Sequence, residues 1–195
     1  KDKVNLILDL KKSGVSNIDV LNVIEKTDRS FFIDESLKKK SNLNIALPID
    51  CGQTISQPLI VGIMTQCLDL RKNLRVLEIG TGSGYHTYIL SQLARFVYTI
   101  ERHKPLLFKS EKIFRKLNVS NIFSKHDDGG LGWKDQAPFD RIIVTASAPE
   151  IPQNLLNQLS EDGIMIIPIG DDYSDQILKK IKKKDNKVLS ENLIG

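Results

Sequence analysis

The stretch Val76–Tyr85, VLEIGTGSGY, decides how this chain is read: a short apolar run carrying Glu78 leads into three glycines at alternate positions, Gly80, Gly82 and Gly84. Glycine lets the backbone turn through φ > 0 and lets main-chain N–H groups approach a ligand closely. A tight strand-to-helix turn accounts for one glycine and leaves three in five residues unexplained. The spacing Gly-x-Gly-x-Gly also differs from the dinucleotide fingerprint G-x-G-x-x-G, in which the third glycine serves a pyrophosphate.

Working outward, strand and helix patterns alternate from Arg75 onward. RVLEI, FVYTIE, NIFSKH, FDRIIVTAS and GIMIIPIG read as strands, and residues 84–94, 104–117 and IPQNLLNQL as helices. QILKKIKKK suits a half-buried strand. This order predicts right-handed crossovers and an α/β, Rossmann-like, doubly wound and mostly parallel sheet with helices on both faces. Upstream, KVNLILDLKKSG reads as a helix stopped at Gly14, and NIDVLNVIEKT as a second amphipathic helix. NIALPIDCGQTISQP, residues 44–58, is too rich in Pro, Gly, Ser and Asp for a regular element, and a helix follows from Pro58 to about Leu70. Residues 1–57 are thus expected to form a small helical extension and substrate loop packed on a core of residues 58–195, one compact domain overall.

Composition excludes several classes. A chain of 195 residues, 41% apolar and 27% charged, buries a sizeable core. It contains no apolar run long enough for a membrane span and no visible signal peptide. Cys51 and Cys67 form no disulfide framework and no metal spacing, so a cytoplasmic monomer without metal is expected. The net charge of +4 lies largely in KKIKKKDNK, residues 179–187, and LKKK, residues 37–40. Those lysines read as solvated groups on an edge strand, where they discourage edge pairing, rather than as a nucleic-acid surface.

Open sheets bind ligands beyond the C-terminal ends of their strands, where strand order reverses. Glu101, in YTIERH, lies 21 residues beyond Gly80. An acid near that offset accepts hydrogen bonds from the ribose hydroxyls of an adenosine ligand; alone, it would read as an acid at a helix N-terminus. HDDGGLGW offers Asp127 or Asp128 beside Gly129, either to read an adenine amino group or as a plain Asp-Gly turn. Taken together, these features resemble S-adenosylmethionine-dependent methyltransferases more closely than nicotinamide dehydrogenases. That resemblance implies a site for S-adenosyl-L-methionine, or its product S-adenosyl-L-homocysteine, built from Glu78, Gly80, Thr81, Gly82, Ser83, Gly84, Glu101, Arg102, Asp128 and Gly129. Glu78 would lie near the methionine amino group, or be a satisfied buried carboxylate.

The acceptor is suggested by LPIDCGQTISQP, residues 47–58, which resembles the LPIGxGQTISxP signature of protein-L-isoaspartate O-methyltransferases. The likeness continues through VLEIGTGSGYHT, the Asp128–Trp133 segment, APFDRIIVTASAPEIP and QLSEDGIMIIPIG, from about Arg29 to Gly170. The resemblance implies methylation of the free α-carboxylate of isoaspartyl residues in damaged proteins and peptides, whose esters collapse to succinimides. It assigns Ser56 as the active-site residue, read as a positioning hydrogen-bond donor, with helix N-capping ahead of Pro58 the competing role. Thr54 and Ile55 would present backbone to the substrate carboxylate, with Gln57 beside them. His86, His103 and His126 read as surface or turn residues, with His103 and Arg102 at the rim.

Two departures stand out. Asp50 occupies the family's first loop glycine, which would strain a loop needing φ > 0 and set a carboxylate near an anionic substrate. The chain also runs out at LSENLIG, short of the terminal strand that closes the sheet in relatives. Methyl transfer to RNA or a small molecule, and a cofactor-binding module without turnover, are the competing readings.

Overall fold

The structure is a computed structural model describing residues 2–171 and 176–194. Helix α1 (Asp2–Lys12) ends as its sequence predicts. Gly14 takes φ 111°, Val15 N–H bonds to the Leu10 carbonyl at 3.0 Å, and Gly14 N–H bonds to that of Lys11. Only glycine enters this left-handed closure without strain. Helix α2 (Ile18–Lys26) begins at Asn17, whose side chain accepts from Val20 N–H. Two short strands, β1 (Leu47–Pro48) and β2 (Thr54–Ile55), pair antiparallel across a tight turn, and α3 (Pro58–Cys67) follows.

The core alternates as expected: β3 (Arg75–Ile79), α4 (Tyr85–Ser91), β4 (Phe96–Glu101), α5 (Lys104–Lys116), β5 (Ile122–His126), β6 (Phe139–Val144), α6 (Gln153–Gln158) and β7 (Leu159–Ile169). Two further strands, β8 (Ile177–Lys184) and β9 (Lys187–Ile194), complete a seven-stranded sheet of order β5-β4-β3-β6-β7-β8-β9. All pairings from β5 to β7 are parallel, and β8 and β9 are antiparallel to their neighbours. The chain leaves β3 toward β4 and β5, then returns to β6 on the other side. Strand order therefore reverses beside β3, directly under the glycine stretch.

Side-chain alternation divides the core. Val76, Val97, Ile143 and Ile166 meet Met64, Leu68 and Leu90 from α3 and α4 on one face. Leu77, Tyr98, Ile142 and Met165 meet Leu155 of α6 on the other. Leu10, Ile24 and Phe32 from the N-terminal segment share a cluster with Val61, Tyr85 and Ile89, so α1 and α2 lie over α3 and α4 rather than on the sheet.

The lysine-rich segment corrects an expectation. β8 is an interior strand between β7 and β9, with buried Leu178 and Ile181 in clusters on opposite faces. Lys183 bends back to donate to the carbonyls of Leu156 and Leu159. The edge of the sheet belongs to β9; Gly195 lies outside the described residues.

Ile142 is wholly buried between β3 and β7. Ile142→Ala is expected to destabilise the fold by about 2–5 kcal/mol, as truncations that leave a cavity do. Urea unfolding should show a lower midpoint with an unchanged slope.

Candidate active site

The glycine stretch crosses the C-terminal tips of β3 and β4. Gly80 N–H donates to the Ile100 carbonyl at 2.8 Å, and the Thr145 hydroxyl, just past β6, donates to the carbonyls of Ile79 and Gly80 at 2.9 and 3.0 Å. All three glycines have positive φ, yet each is required for a different reason. A Cβ on Gly80 would lie 2.3 Å from Thr145 Oγ1, and one on Gly84 2.9 Å from the Phe114 ring. Around Gly82 the nearest atom is 3.9 Å away, so only its φ and the open space above it ask for glycine. The loop is thus braced at both ends and open in the middle. Ser110 holds the middle from outside by donating to the Gly82 carbonyl at 2.8 Å.

Glu78 lies behind this loop, fully buried and away from the cleft. Its Oε1 accepts from the hydroxyls of Thr87 and of Thr99, the latter at 2.8 Å, and the Thr99 hydroxyl also meets Thr81 at 2.6 Å. Oε2 has no partner. Burial pushes this carboxyl up to about 8 against the two hydroxyl hydrogen bonds, so it is largely protonated at neutral pH. Of its two sequence readings, contact with a ligand is not what the geometry offers; it ties β3, β4 and α4 together beneath the loop.

Glu101 ends β4, is 5% exposed and lines the cleft. Oε1 accepts from Gly82 N–H at 2.9 Å and Oε2 from His103 N–H at 2.8 Å, leaving each oxygen further acceptor capacity. Arg102, His103, Asp128 and Gly129 line the same end. Asp128 accepts from Gly130 N–H, whereas Asp127 bridges to Lys125 at 3.0 Å, so Asp128 is the residue of the pair that reaches the cleft. A Cβ on Gly129 would meet Ile79 at 2.2 Å, which explains the glycine beneath that end.

From there one cleft of about 640 Å³ runs past Gly80, Thr81, Gly82 and Ser83 to Gln53, Thr54, Ile55 and Ser56. Ser56 is half-buried, its hydroxyl has no hydrogen-bond partner among the described residues, and its carbonyl accepts from Arg29 at 3.0 Å. The N-capping alternative fails: the cap position is Gln57, and Leu59 N–H is satisfied by Asn44 Oδ1 at 2.9 Å. Gln57 does not line the cleft; its amide donates to the Asn44 carbonyl. Gly84 also stays outside it.

Asp50 itself is not in the left-handed region; the strain of the turn falls on its neighbour. The tight turn puts positive φ on Cys51 (59°) and Gly52 (66°), one residue later than expected. The Asp50 carboxylate turns outward to Lys109, 3.4 Å away, which also holds Asp34 at 3.0 Å. These ion pairs, with the hydrogen bond that Lys109 donates to Asp34 foremost, raise the Lys109 ammonium above its ordinary range.

Sequence reasoning missed several cleft residues. His86, expected at the surface, is 9% exposed and faces the cleft, its Nε2 2.8 Å from Thr65 Oγ1. Thr65 gives its hydroxyl proton to the Val61 carbonyl, so the histidine donates, and burial pushes it down to about 4, keeping it neutral. Tyr85 and the segment Thr145–Ala148 line the cleft as well, the latter held to the end of β7 through Ala148 and Gly170. No side-chain pattern marks that segment; only the adjacency of β3 and β6 brings it in.

A sheet reversing beside β3, a braced glycine loop and a buried acid at the β4 tip define the S-adenosylmethionine-dependent methyltransferase class. The particular kind follows from comparison. A family model described as protein-L-isoaspartate(D-aspartate) O-methyltransferase matches residues 1–194, and the chain belongs to that family. It is 49% identical over 183 residues to the protein-L-isoaspartate O-methyltransferase of Paramagnetospirillum magneticum, covering 93% of this chain and 86% of that protein. It is 47% identical over 193 residues to that of Photobacterium profundum, covering 99% and 91%. A solved protein-L-isoaspartate O-methyltransferase superposes with a TM-score of 0.89 at 28% identity, over 98% of this chain and 63% of that longer one. A Plasmodium falciparum structure bearing the family name, in complex with S-adenosyl-L-homocysteine, gives 0.85 at 28% identity, over 97% and 93%.

Because native Glu78 holds its proton to about 8 against an ordinary 4.5, the folded state binds more protons than the unfolded one across that window. Stability from this group therefore falls as pH rises through it. Glu78→Gln keeps an acceptor for Thr87 and Thr99 without the charge. Its stability relative to wild type should rise between about pH 6 and pH 8 in urea titrations; a pH-independent difference contradicts the buried, protonated carboxyl.

Proposed function

We propose that this protein transfers a methyl group from S-adenosylmethionine to the free α-carboxylate of L-isoaspartyl residues in damaged proteins and peptides. The observation that carries the reading is the single cleft joining the Glu101–Asp128 end to Ser56 across the open middle of the glycine loop. Family membership over nearly the whole chain supports the acceptor.

The residues present suit the cofactor. Glu101 keeps unused lone pairs at the strand tip, suited to ribose hydroxyls, and Gly82 leaves free space above the loop. Asp128 and Gly129 flank the adenine end, and Gly80, Thr81 and Ser83 border the methionine end. When bound, S-adenosylmethionine supplies a methyl group activated by its sulfonium.

The protein's own work is positioning. An α-carboxylate has a reference pKa near 3.5 and is already ionised at neutral pH, so no general base is required. Ser56 donates its free hydroxyl to one carboxylate oxygen and leaves the other aimed along the line of transfer. The neutral His86, its Nε2 committed to Thr65, adds no charge to repel or overbind the anion. Rate then comes from alignment and from shielding the two reactants in the cleft. The same reading takes the protein as a cytoplasmic monomer without a stable nucleic-acid partner. Its exposed apolar side chains are scattered over α1, α2, α5, β5, β9 and several turns, in keeping with that.

Labelled methyl from S-adenosylmethionine should enter an isoaspartyl peptide and not its aspartyl twin; equal labelling, or labelling of RNA instead, refutes the acceptor. Glu101→Ala should weaken S-adenosylhomocysteine binding in calorimetry by about 1–3 kcal/mol, the range for a hydrogen bond to a charged group. Ser56→Ala should leave that affinity unchanged while lowering kcat/KM for the peptide about tenfold, as loss of roughly 1.4 kcal/mol does.

A further inference from the structure

Arg29 is 1% exposed, among the most completely buried side chains of the chain, although it carries a charge. It stands in a single turn, Arg29–Phe32, that follows α2, with Asp28 accepting from Ser30 N–H to start the turn and Phe32 packed edge-on to Tyr85. No carboxylate pairs with it among the described residues. Instead its guanidinium meets four main-chain carbonyls: Ser41 at 3.4 Å, Leu43 at 3.3 Å, Ile45 at 2.8 Å and Ser56 at 3.0 Å. Its other neighbour is the Tyr85 ring, 5.9 Å from the guanidinium carbon, immediately after the glycine loop. Burial pulls the guanidinium below its ordinary range, and Nε has no hydrogen-bond partner among the described residues.

A residue present only for packing would not be an arginine here. Burying a charge without a counter-charge is unfavourable, and an apolar side chain of similar volume would fill the space at lower cost. What the planar fork supplies is geometry. Its two terminal nitrogens reach carbonyls from residues 41 to 56 at once, which a compact lysine ammonium cannot do. One of those carbonyls belongs to Ser56 itself, a residue that lines the acceptor end of the cleft.

We infer that Arg29 is a positioning residue for methyl transfer, clamping the loop from Ser41 to Ser56 by its carbonyls so that the Ser56 hydroxyl is held over the cleft. This rests on the acceptor reading above. Arg29 touches neither the glycine stretch between Gly80 and Gly84 nor Glu101, so it acts on the acceptor side of the site and leaves the cofactor side alone.

The test compares Arg29→Lys and Arg29→Gln with wild type, each purified with S-adenosylhomocysteine to support the fold and then freed of it. Five quantities are read: S-adenosylhomocysteine affinity, KM and kcat for an isoaspartyl peptide, near-ultraviolet dichroism, and amide exchange of residues 42–57. The clamp predicts native dichroism, cofactor affinity within about threefold of wild type, and kcat/KM for the peptide lowered by up to about tenfold, the effect of losing the Ser56 hydroxyl itself. Exchange over residues 42–57 should quicken while the sheet stays protected. A folded variant with wild-type kcat/KM overturns the inference, as does one that loses cofactor and peptide affinity in equal measure. Should neither variant fold, exchange in wild type without cofactor decides: protection of residues 42–57 close to that of the sheet supports the clamp, and rapid exchange overturns it. Wild type inactive on the peptide would sink the acceptor assignment instead, and the exchange difference between wild type and Arg29→Lys would still judge the clamp.

Discussion

Everything at this site hangs on a polar brace where the sheet reverses. The Thr145 hydroxyl, delivered by β6, bonds the carbonyls of Ile79 and Gly80 as the chain leaves β3, and Gly80 N–H reaches across to β4. Three parallel strands are thereby stitched at their tips, and the main chain is forced through the conformation that leaves Gly82 bare. The steric requirement at Gly80 and the hydrogen bonds of Thr145 are one fact seen from two sides: a side chain at Gly80 would occupy the position of that hydroxyl. Below the brace, the protonated Glu78 joins β3, β4 and α4 without placing a charge under the loop. Above it, Glu101 uses one oxygen to hold Gly82 N–H, so the acid facing the cleft also shapes the loop beside it.

The acceptor side is built on a different principle. Residues 41–56 contain little regular structure, and a buried loop would leave carbonyls unsatisfied. Arg29 satisfies four of them from one centre, and Asn44 closes the start of α3 in place of a cap from the helix's own cap residue. The two sides meet at Tyr85, which follows the glycine loop, lines the cleft and lies beside both Phe32 and Arg29.

How much of this could be read from residues alone depends on the range of the interaction. The end of α1 at Gly14, the strand–helix alternation and the acid-tipped β4 rest on local pattern, and each stands as expected. Asp50 was misjudged by a single residue, because the tight turn moves the left-handed positions to Cys51 and Gly52. The lysine strand was placed at the edge because β9, exposed along nearly its whole length, shows no alternation that would announce a strand. Arg29, Thr145 and His86 were silent for a deeper reason. Their partners are main-chain carbonyls or a hydroxyl brought close only by the assembled fold, and an isolated arginine, threonine or histidine has no periodicity to betray it. Asp127 and Asp128 looked equivalent in sequence until Lys125 drew one of them aside.

The tip and the base of the acceptor loop are held in different ways. At the tip, Cys51 carries a left-handed backbone that costs a β-carbon-bearing residue on the order of 1–2 kcal/mol. Opposing it are half-exposed contacts of Asp34 and Asp50 with one lysine, each contributing at most about 1 kcal/mol and weakened by salt. Those ion pairs are minor beside the turn's own hydrogen bond from Ile49 N–H to the Gln53 carbonyl and the pairing of β1 with β2, whereas the base is held by four carbonyls on a dry guanidinium. An enzyme whose substrates share a chemical lesion rather than a sequence needs its serine fixed in that way, whatever residues flank the lesion.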